Sequence, residues 1–267
     1  MSAGTQGVRP PIPELWHNAA VLVAEGSPMD RTIIVIPTYN EAENVPLLIP
    51  EVRRVVPEAE VLVVDDHSPD GTGALVERMA ATDPAIHLLA REGKEGLGRA
   101  YVAGFTWCLD RGFEVIVQMD CDFSHQPRLL PSLLAALEQA DLVIGSRYVK
   151  GGETESWPWK RRLLSQGGNL YARTILGMQV RDLTGGFKAW RRQTLLDIDL
   201  RKVRATGYAF QMEMNYRAHR AGKRIVEVPI TFPDRTRGES KLAGGIFWES
   251  LKMPWRLRRW VRESSPE

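Results

Sequence analysis

A chain of 267 residues with 43% hydrophobic and 25% charged side chains is long enough for one large or two small globular domains with a buried core. A formal net charge of +2 argues against a protein that coats nucleic acid, and we expect no nucleic-acid partner. The two cysteines, Cys108 and Cys121, cannot form a disulfide framework, which indicates a reducing, cytoplasmic location.

Hydropathy and the N-terminal composition set the expected domain limits. No stretch approaches the roughly 20 apolar residues that a membrane-spanning helix needs, so none is predicted. Residues 1–30 mix Pro, Gly and Ser and carry no secretory signal pattern, which predicts a flexible lead-in or linker. We expect the main domain at residues 31–243 and an amphipathic helical segment at residues 244–267.

Apolar runs of strand length alternate with helical patterns from Arg31 onward. The predicted strands cover residues 32–36, 61–64, 86–89, 115–119 and 142–144. This alternation predicts an α/β fold with a mostly parallel, Rossmann-like sheet and flanking helices. The second half is less regular, with a loop predicted at residues 151–158, a helix at 160–176 and a strand at 224–232.

The loop after the first strand has side chains that suit a nucleoside. Tyr39 and Glu41 are placed to flank a base and a ribose, although Pro37 and Asn40 are also common turn formers. Asn40 is predicted to cap the following helix, with Glu43 as its capping-box partner.

Two of the predicted strands end in paired acids. The second strand runs into Asp65 and Asp66, and the fourth runs into Asp120 and Asp122. Ligands of open α/β sheets gather at the carboxyl ends of strands, and carboxylates suit Mg²⁺ or Mn²⁺ beside a phosphate. We therefore predict a cation site at Asp120 and Asp122 and a ligand contact at Asp66. Capped loops are the structural alternative.

The glycine-rich loop at residues 93–98 argues against two other enzyme classes. It has neither the G-x-G-x-x-G spacing of a dinucleotide site nor the Gly-Lys-Ser/Thr ending of a P-loop. The sequence therefore supports neither a dehydrogenase nor an ATPase.

Basic side chains gather after the acids. Arg147 follows the fifth strand, and Arg161 and Arg162 lie further along the chain. A guanidinium beside a metal site suits bidentate recognition of phosphate, although a single arginine is more often a solvated surface charge. Trp157 and Trp159 indicate either a small local core or a surface that meets apolar material.

The C-terminal segment combines basic and aromatic side chains. Residues 235–262 contain eight Lys or Arg against two Glu, with four aromatic side chains interleaved. Such a pattern is typical of helices that lie in the membrane interface, and Pro254 is expected to break it into two helices. The alternative is a helix packed on the core with solvated arginines. A membrane-embedded partner protein would also bring the chain to a lipid.

Seven motifs, in order from about residue 32 to residue 242, resemble those of the dolichol (polyprenol) phosphate mannose synthases. The motifs are Pro37-Thr38-Tyr39-Asn40-Glu41, Asp65-Asp66-x-Ser68-Pro69-Asp70-Gly71-Thr72, Gly96-Leu97-Gly98, Met119-Asp120-x-Asp122, Gly145-Ser146-Arg147-Tyr148, Gly207-Tyr208-x-Phe210-Gln211-x-Glu213 and Gly238-Glu239-Ser240-Lys241-Leu242. The resemblance implies a glycosyltransferase-A fold that moves mannose from GDP-mannose to a polyprenyl phosphate with inversion at the anomeric carbon.

The resemblance also implies roles for individual residues. The nucleoside would be held by Pro37, Tyr39, Glu41, Val64 and Asp66. The diphosphate and its metal would lie along Asp120, Cys121 and Asp122, and phosphates would be bound by Arg147, Arg235 and Lys241. Two residues depart from the family pattern: Cys121 stands where alanine is usual, and Ser124 stands where some members carry a metal-binding glutamine.

A phosphate acceptor would explain acids on one side of the site and arginines on the other. A phosphate monoester has a second pKa of about 6, so it is largely a dianion at neutral pH and needs little help from a general base. We therefore assign catalytic roles to Asp122, through the metal, and to Arg147, with Arg161 or Arg162 steering the acceptor phosphate.

These inferences together predict a peripheral enzyme at the cytoplasmic face of a membrane. Its partners would be GDP-mannose, a polyprenyl phosphate lipid, the membrane surface and a divalent cation, Mg²⁺ or Mn²⁺. The rival functions are transfer from UDP-glucose, transfer to a hydroxyl acceptor, and nucleotide-sugar binding without turnover.

Overall fold

The strands of this computed structural model, which describes residues 31–233 and 244–264, follow the apolar runs of the sequence. The described strands are β1 (Thr32–Thr38), β2 (Glu60–Asp65), β3 (Ile86–Ala90), β4 (Val115–Gln118), β5 (Leu142–Ser146), β6 (Glu153–Thr154), β7 (Lys188–Arg191), β8 (Ile225–Pro229) and β9 (Thr231–Phe232). The predictions for residues 1–30, Arg235 and Lys241 lie outside the described residues.

Helices connect the strands and flank the sheet. The described α-helices are α1 (Val45–Val55), α2 (Thr72–Ala80), α3 (Leu97–Asp110), α4 (Leu130–Leu137), α5 (Trp159–Leu176), α6 (Arg192–Asp197), α7 (Gly207–Arg220) and α8 (Gly244–Ser264). Short 3₁₀ turns occur at Pro127–Leu129 and Leu200–Lys202.

Seven strands form one mixed sheet in the order β3-β2-β1-β4-β7-β5-β8. Strands β1 to β4 pair in parallel, and β5 pairs in parallel with β8. Strand β7 is antiparallel to both of its neighbours, β4 and β5. The prediction of a mostly parallel α/β sheet with flanking helices is confirmed.

The core lies on both faces of this sheet. All seven residues of β1 are buried, as expected for a strand covered by helices on both sides. Tyr101 and Phe105 of α3 pack on one face, and Leu48 and Val52 of α1 pack on the other. The sheet is therefore covered by helices on both faces.

One close approach depends on a glycine. A Cβ atom on Gly104 of α3 would lie 2.6 Å from Cγ1 of Val35 and 2.9 Å from Cγ2 of Val64. Only a glycine lets α3 lie this close to β1 and β2.

The prediction that Asn40 caps the first helix is wrong. Helix α1 begins at Val45, with Asn44 as the N-cap residue. Asn40 instead has a φ of 60° and donates its backbone N–H to Oγ of Ser68 at 3.0 Å. A contact from the neighbouring loop therefore fixes Asn40 before the helix begins.

The prediction that Pro254 divides the C-terminal segment is also wrong. Helix α8 continues through Pro254, although proline removes a helical hydrogen bond. Leu257 and Val261 of α8 are buried in the core together with residues of α5 and α7. This packing stabilises the helix across the proline. It agrees with the alternative of a C-terminal helix packed on the core.

Two smaller predictions need correction, and one strand was not predicted. The predicted strand at residues 224–232 is divided into β8 and β9, and β9 pairs with β6 outside the main sheet. Strand β6 lies within the predicted loop at 151–158. Strand β7 was not predicted, because its four residues read Lys-Ala-Trp-Arg and carry no apolar run.

Candidate active site

The ends of five strands meet at one edge of the sheet. The parallel strands β2, β1, β4 and β5 all finish there, and antiparallel β7 begins there, since Lys188 at its start pairs with Gln118 at the end of β4. This edge carries the loops at residues 39–44, 66–71, 119–126 and 147–152 and the glycines that precede β7. It is the position at which open α/β sheets bind ligands.

Two of the predicted nucleoside contacts lie side by side in the sheet, and a third lies in an exposed loop. Pro37 and Val64 are register partners in β1 and β2, and both are buried. Tyr39 is 37% exposed, and Nζ of Lys94 lies 3.7 Å from the centre of its ring. Asp66 is buried and forms an ion pair with Arg91.

Asp65, at the end of β2, and Asp70, in the following loop, accept hydrogen bonds from neighbouring parts of the chain. Asp65 accepts hydrogen bonds from Oγ1 of Thr38 at 2.8 Å and from the backbone N–H of Ser68 at 2.9 Å. Asp70 accepts from the backbone N–H groups of Ala42 and Thr72 at 3.0 Å. Asp65 and Asp70 therefore hold the two adjacent loops together, which is the capped-loop alternative for these two residues.

Asp120 is anchored through both its side chain and its backbone. Oη of Tyr101 donates to Oδ1 of Asp120 at 2.6 Å, and the backbone N–H of Asp120 donates to Nδ1 of His125 at 2.9 Å. The ring of His125 stacks on Phe187 with 5.0 Å between the centres. Burial and the charge of Asp120 raise the pKa of Tyr101, so its hydroxyl remains a donor.

Asp122 is held by Ser124. Oδ1 of Asp122 accepts hydrogen bonds from the Ser124 backbone N–H at 3.1 Å and from Oγ at 2.5 Å. Ser124 thus orients a carboxylate. Such outer contacts fix the direction of metal ligands.

A cluster of negative charge surrounds this edge. Burial raises the pKa of Glu41 and the charges of Asp122, Asp70 and Asp120 add to this effect, while a hydrogen bond from Asn44 opposes it. Burial, followed by the charge of Glu41, also raises the pKa of the Cys121 thiol. Cys121 is therefore an uncharged, buried thiol, and Cys108 is likewise buried and forms no disulfide.

The oxygen donors at this edge fit a hard divalent cation. Asp120 and Asp122 offer carboxylate oxygens, and repulsion among the acids would fall if a cation bound. In the described part of the chain, no group of three or more His, Cys, Asp or Glu side chains is arranged to hold a metal. Two carboxylates and a ligand's phosphates form the donor set that fits.

Arg147 is buried at the end of β5. Its Nε and Nη2 donate to the two oxygens of Asp182 at 2.7 and 2.6 Å, and Nη2 also donates to Oγ1 of Thr184 at 2.8 Å. Tyr148, Trp157 and Phe232 place their rings within 5.7 Å of the guanidinium. Arg147 is therefore held firmly at the same edge as the acids.

The other predicted arginines lie on α5. Arg161 places its guanidinium 3.9 Å from the centre of the Trp157 ring, and the Arg147 guanidinium lies 5.7 Å from the centre of the same ring. Arg162 is exposed. Trp157 packs in a local aromatic cluster with Phe232, as the small-core alternative predicted. Trp159 is 70% exposed, as expected for a surface that meets apolar material.

The sequence left open whether Asp182 or Glu213 assists at the sugar, and three other polar residues of the site were missed. Asp182 pairs with Arg147. Among the missed residues, His125 holds the backbone of Asp120, and Lys188 and Gln118 are buried behind the acids. His125 follows the acidic motif at a short distance, which is the only signal that could have singled it out. By contrast, Glu213 accepts hydrogen bonds from Arg217 and from the turn before α7, so it supports the fold.

This sheet edge, with two acids after β4 and a buried arginine after β5, suits a glycosyltransferase of the glycosyltransferase-A fold. Comparison with known proteins supports this class. The family model described as Glycosyl transferase family 2 matches residues 33–198. A mannosyltransferase of Pyrobaculum calidifontis, solved with GDP-Man and Mn²⁺, aligns over 89% of this chain and 76% of its own, with a TM-score of 0.54 and 16% identity.

Two curated relatives narrow the assignment. The undecaprenyl-phosphate mannosyltransferase of Micrococcus luteus is 53% identical over 221 residues, or 83% of this chain and 91% of that protein. The polyprenol monophosphomannose synthase of Mycolicibacterium smegmatis is 49% identical over 84% of this chain and 85% of that protein. The chain belongs to glycosyl transferase family 2 and, within it, to the polyprenyl-phosphate mannosyltransferases. Among the described residues, no helix combines the length and apolar character needed to cross a membrane.

Proposed function

We propose that this glycosyltransferase transfers mannose from GDP-mannose to a polyprenyl phosphate with inversion at the anomeric carbon. The observation that carries the proposal is the order of charges along the sheet edge: acids follow β2 and β4, and the buried Arg147 follows β5. The names of the two curated relatives support the sugar and the class of acceptor.

The donor would lie along the first half of the edge. Pro37, Tyr39, Val64 and Asp66 would hold the guanosine, and Glu41 would lie between it and the acids. Asp120 and Asp122 would hold a divalent cation, Mg²⁺ or Mn²⁺, which when bound would neutralise charge on the leaving diphosphate. Cys121 would contribute its backbone.

The acceptor phosphate would be received at the other end of the edge. Arg147 is fixed by Asp182, and Arg161 lies against the Trp157 ring. Two guanidiniums in this arrangement suit a phosphate dianion, which needs positioning more than deprotonation. Arg162, Arg235 and Lys241 are further candidates for phosphate contacts.

The lipid acceptor implies attachment at the surface of a membrane. Trp159, Leu163 and Leu170 on α5 and Trp255 on α8 are all more than half exposed. Lys160, Arg162, Arg256 and Arg258 are exposed on the same two helices. Apolar side chains flanked by basic ones suit the interface of an anionic bilayer. We place the enzyme at the cytoplasmic face, by itself or beside a membrane-embedded partner.

The function is tested by transfer of labelled mannose from GDP-mannose into the organic phase. Polyprenyl phosphate is the acceptor, and parallel reactions contain Mg²⁺, Mn²⁺ or EDTA. We expect lipid labelling that needs the cation and is lost in Asp122→Asn. Labelling from UDP-glucose but not from GDP-mannose would overturn the sugar, and labelling with neither would overturn the lipid-phosphate acceptor.

A further inference from the structure

Three polar side chains are buried behind the acids. Lys188 at the start of β7 and Gln118 at the end of β4 are fully buried, and Gln211 on α7 is 3% exposed. A lysine is almost never fully buried without a strong reason, because its charge is costly to remove from water. The proposed reaction assigns no role to any of these three residues.

The contacts among them fix the direction of the Gln211 amide. Nζ of Lys188 donates to Oε1 of Gln211 at 2.7 Å and to its backbone oxygen at 3.3 Å, and Nε2 of Gln118 donates to the same Oε1 at 2.9 Å. Both Nζ of Lys188 and Nε2 of Gln118 direct N–H groups at this one atom, so it is the oxygen of the Gln211 amide. The two hydrogens of Gln211 Nε2 therefore point away from Lys188.

The amide nitrogen of Gln211 lies close to Gly186. The point that a Cβ atom on Gly186 would occupy is 3.5 Å from Nε2 of Gln211, 3.4 Å from Oδ2 of Asp120 and 3.1 Å from Cε1 of His125. The amide nitrogen of Gln211 therefore lies close to the Asp120 carboxylate, and a side chain at position 186 would crowd both groups. Glycines at such points often let a ligand approach closely.

The order of the strands shows which part of the substrate would reach this space. On the proposed function, the diphosphate lies at the end of β4 and the acceptor phosphate at the end of β5. Strand β7 lies between these two strands, and Gly186 lies just before β7. The reacting hexose must lie between its leaving diphosphate and its acceptor.

We propose that Gln211, held in place by Lys188 and Gln118, donates its Nε2 hydrogens to a hydroxyl oxygen of the donor hexose and so helps to select the sugar. Gln211 is a substrate-binding residue in this scheme, and Lys188 and Gln118 are positioning residues. The inference rests on the proposed function, since it places the hexose between β4 and β5.

The first test replaces the amide nitrogen while keeping the shape of the side chain. We expect Gln211→Glu to lower kcat/KM for GDP-mannose by about 10- to 100-fold, because a sugar hydroxyl loses its donor. Calorimetry should show unchanged affinity for GDP, which has no hexose. Gln139→Glu, on an exposed residue after α4, is the matched control and should behave as wild type. Wild-type kcat/KM in Gln211→Glu would overturn the proposal.

A second variant tests the positioning role. Lys188→Met leaves Gln211 in place but removes the group that orients its amide. We expect this variant to have a smaller ratio of kcat/KM for GDP-mannose to kcat/KM for GDP-glucose than wild type. Its affinity for GDP should be unchanged. An equal loss of affinity for GDP and GDP-mannose would mean that Lys188 only supports the fold, and that result would overturn its role here.

The same measurements separate this inference from the proposed function. If wild type transferred no mannose to lipid, the proposed function would fail. The affinities of wild type and Gln211→Glu for GDP-mannose would still show whether Gln211 contacts the hexose. Weaker GDP-mannose binding with unchanged GDP binding would support it, and equal GDP-mannose binding would overturn it.

Discussion

Arg147, at the end of β5, and Asp182 form a buried, two-point ion pair. Both oxygens of Asp182 accept from the guanidinium, and one of them also accepts the Arg147 backbone N–H at 3.0 Å. Burial by itself would raise the pKa of Asp182, but the charge and hydrogen bonds of Arg147 outweigh it and hold that pKa below its usual range. Asp182 is therefore ionised at neutral pH.

Removing the charge of Asp182 should destabilise the protein strongly. We expect Asp182→Asn to lower the free energy of unfolding by about 3–5 kcal/mol, because it leaves a buried guanidinium without its counter-charge. Urea unfolding followed by circular dichroism measures this. Asp197→Asn, which breaks the more exposed ion pair with Lys223, should cost at most about 1 kcal/mol. Equal effects of the two variants would contradict the importance of the buried pair.

Ser124 should control the affinity for the cation. In Ser124→Ala, Asp122 loses a hydrogen bond to its Oδ1, and we expect the activating concentration of Mn²⁺ to rise by about 10- to 100-fold. A titration of transferase activity with Mn²⁺ at saturating GDP-mannose gives this value. Ser132→Ala on α4 serves as the control, and an unchanged Mn²⁺ requirement in Ser124→Ala would refute the role of Ser124.

Gly104 should tolerate no side chain. Gly104→Ala would push a methyl group into Val35 and Val64, and we expect the free energy of unfolding to fall by about 1–3 kcal/mol. Gly168→Ala in α5 should instead raise the free energy of unfolding by about 0.5–1 kcal/mol, because alanine favours the helix. An added Cβ at Gly168 would meet no neighbouring atom within 4 Å. Denaturant midpoints compare the two variants, and a stable Gly104→Ala protein would show that α3 can shift.

Lys188 should make stability depend on pH. Burial lowers the pKa of Lys188 from 10.5 to about 7, although the charges of Asp182 and Asp120 oppose this. Between these two values the unfolded chain keeps a proton that the folded chain has lost, so the free energy of unfolding rises with pH there. Lys188→Met lacks this contribution. We therefore expect the free energy of unfolding of wild type to rise relative to that of Lys188→Met between pH about 7 and about 10. Urea unfolding at several pH values measures this. A difference between the two proteins that does not change with pH would show that the pKa of Lys188 is not lowered.

The exposed apolar side chains of α5 should carry membrane binding. Trp159 and Leu163 are 70% and 62% exposed, and burial of one such side chain in an interface is worth about 1.5–3 kcal/mol. We expect the double variant Trp159→Ser, Leu163→Ser to bind anionic liposomes at least about tenfold more weakly in sedimentation. Leu47→Ser, on a similarly exposed residue of α1, should bind as wild type. Unchanged binding by the double variant would move the membrane contact elsewhere.

The sequence by itself determined the strands with continuous apolar runs and the acids at their ends. These features are local, because parallel strands buried on both faces need unbroken apolar residues, and the polar residues directly after such a run lie at the edge of the sheet. The position of Asp120, Asp122 and Arg147 at one edge could be predicted from that rule alone.

Only the tertiary structure decided how the two halves of the chain combine. Strand β7 enters between β4 and β5 through pairing with distant residues, and it brings Lys188 and Gly186 to the acids. Asn40 is held by Ser68 from another loop, and α8 stays whole across Pro254 because one side of it is packed on the core. In each case a long-range contact overrides a local preference, and such contacts carry no periodic signal in the sequence.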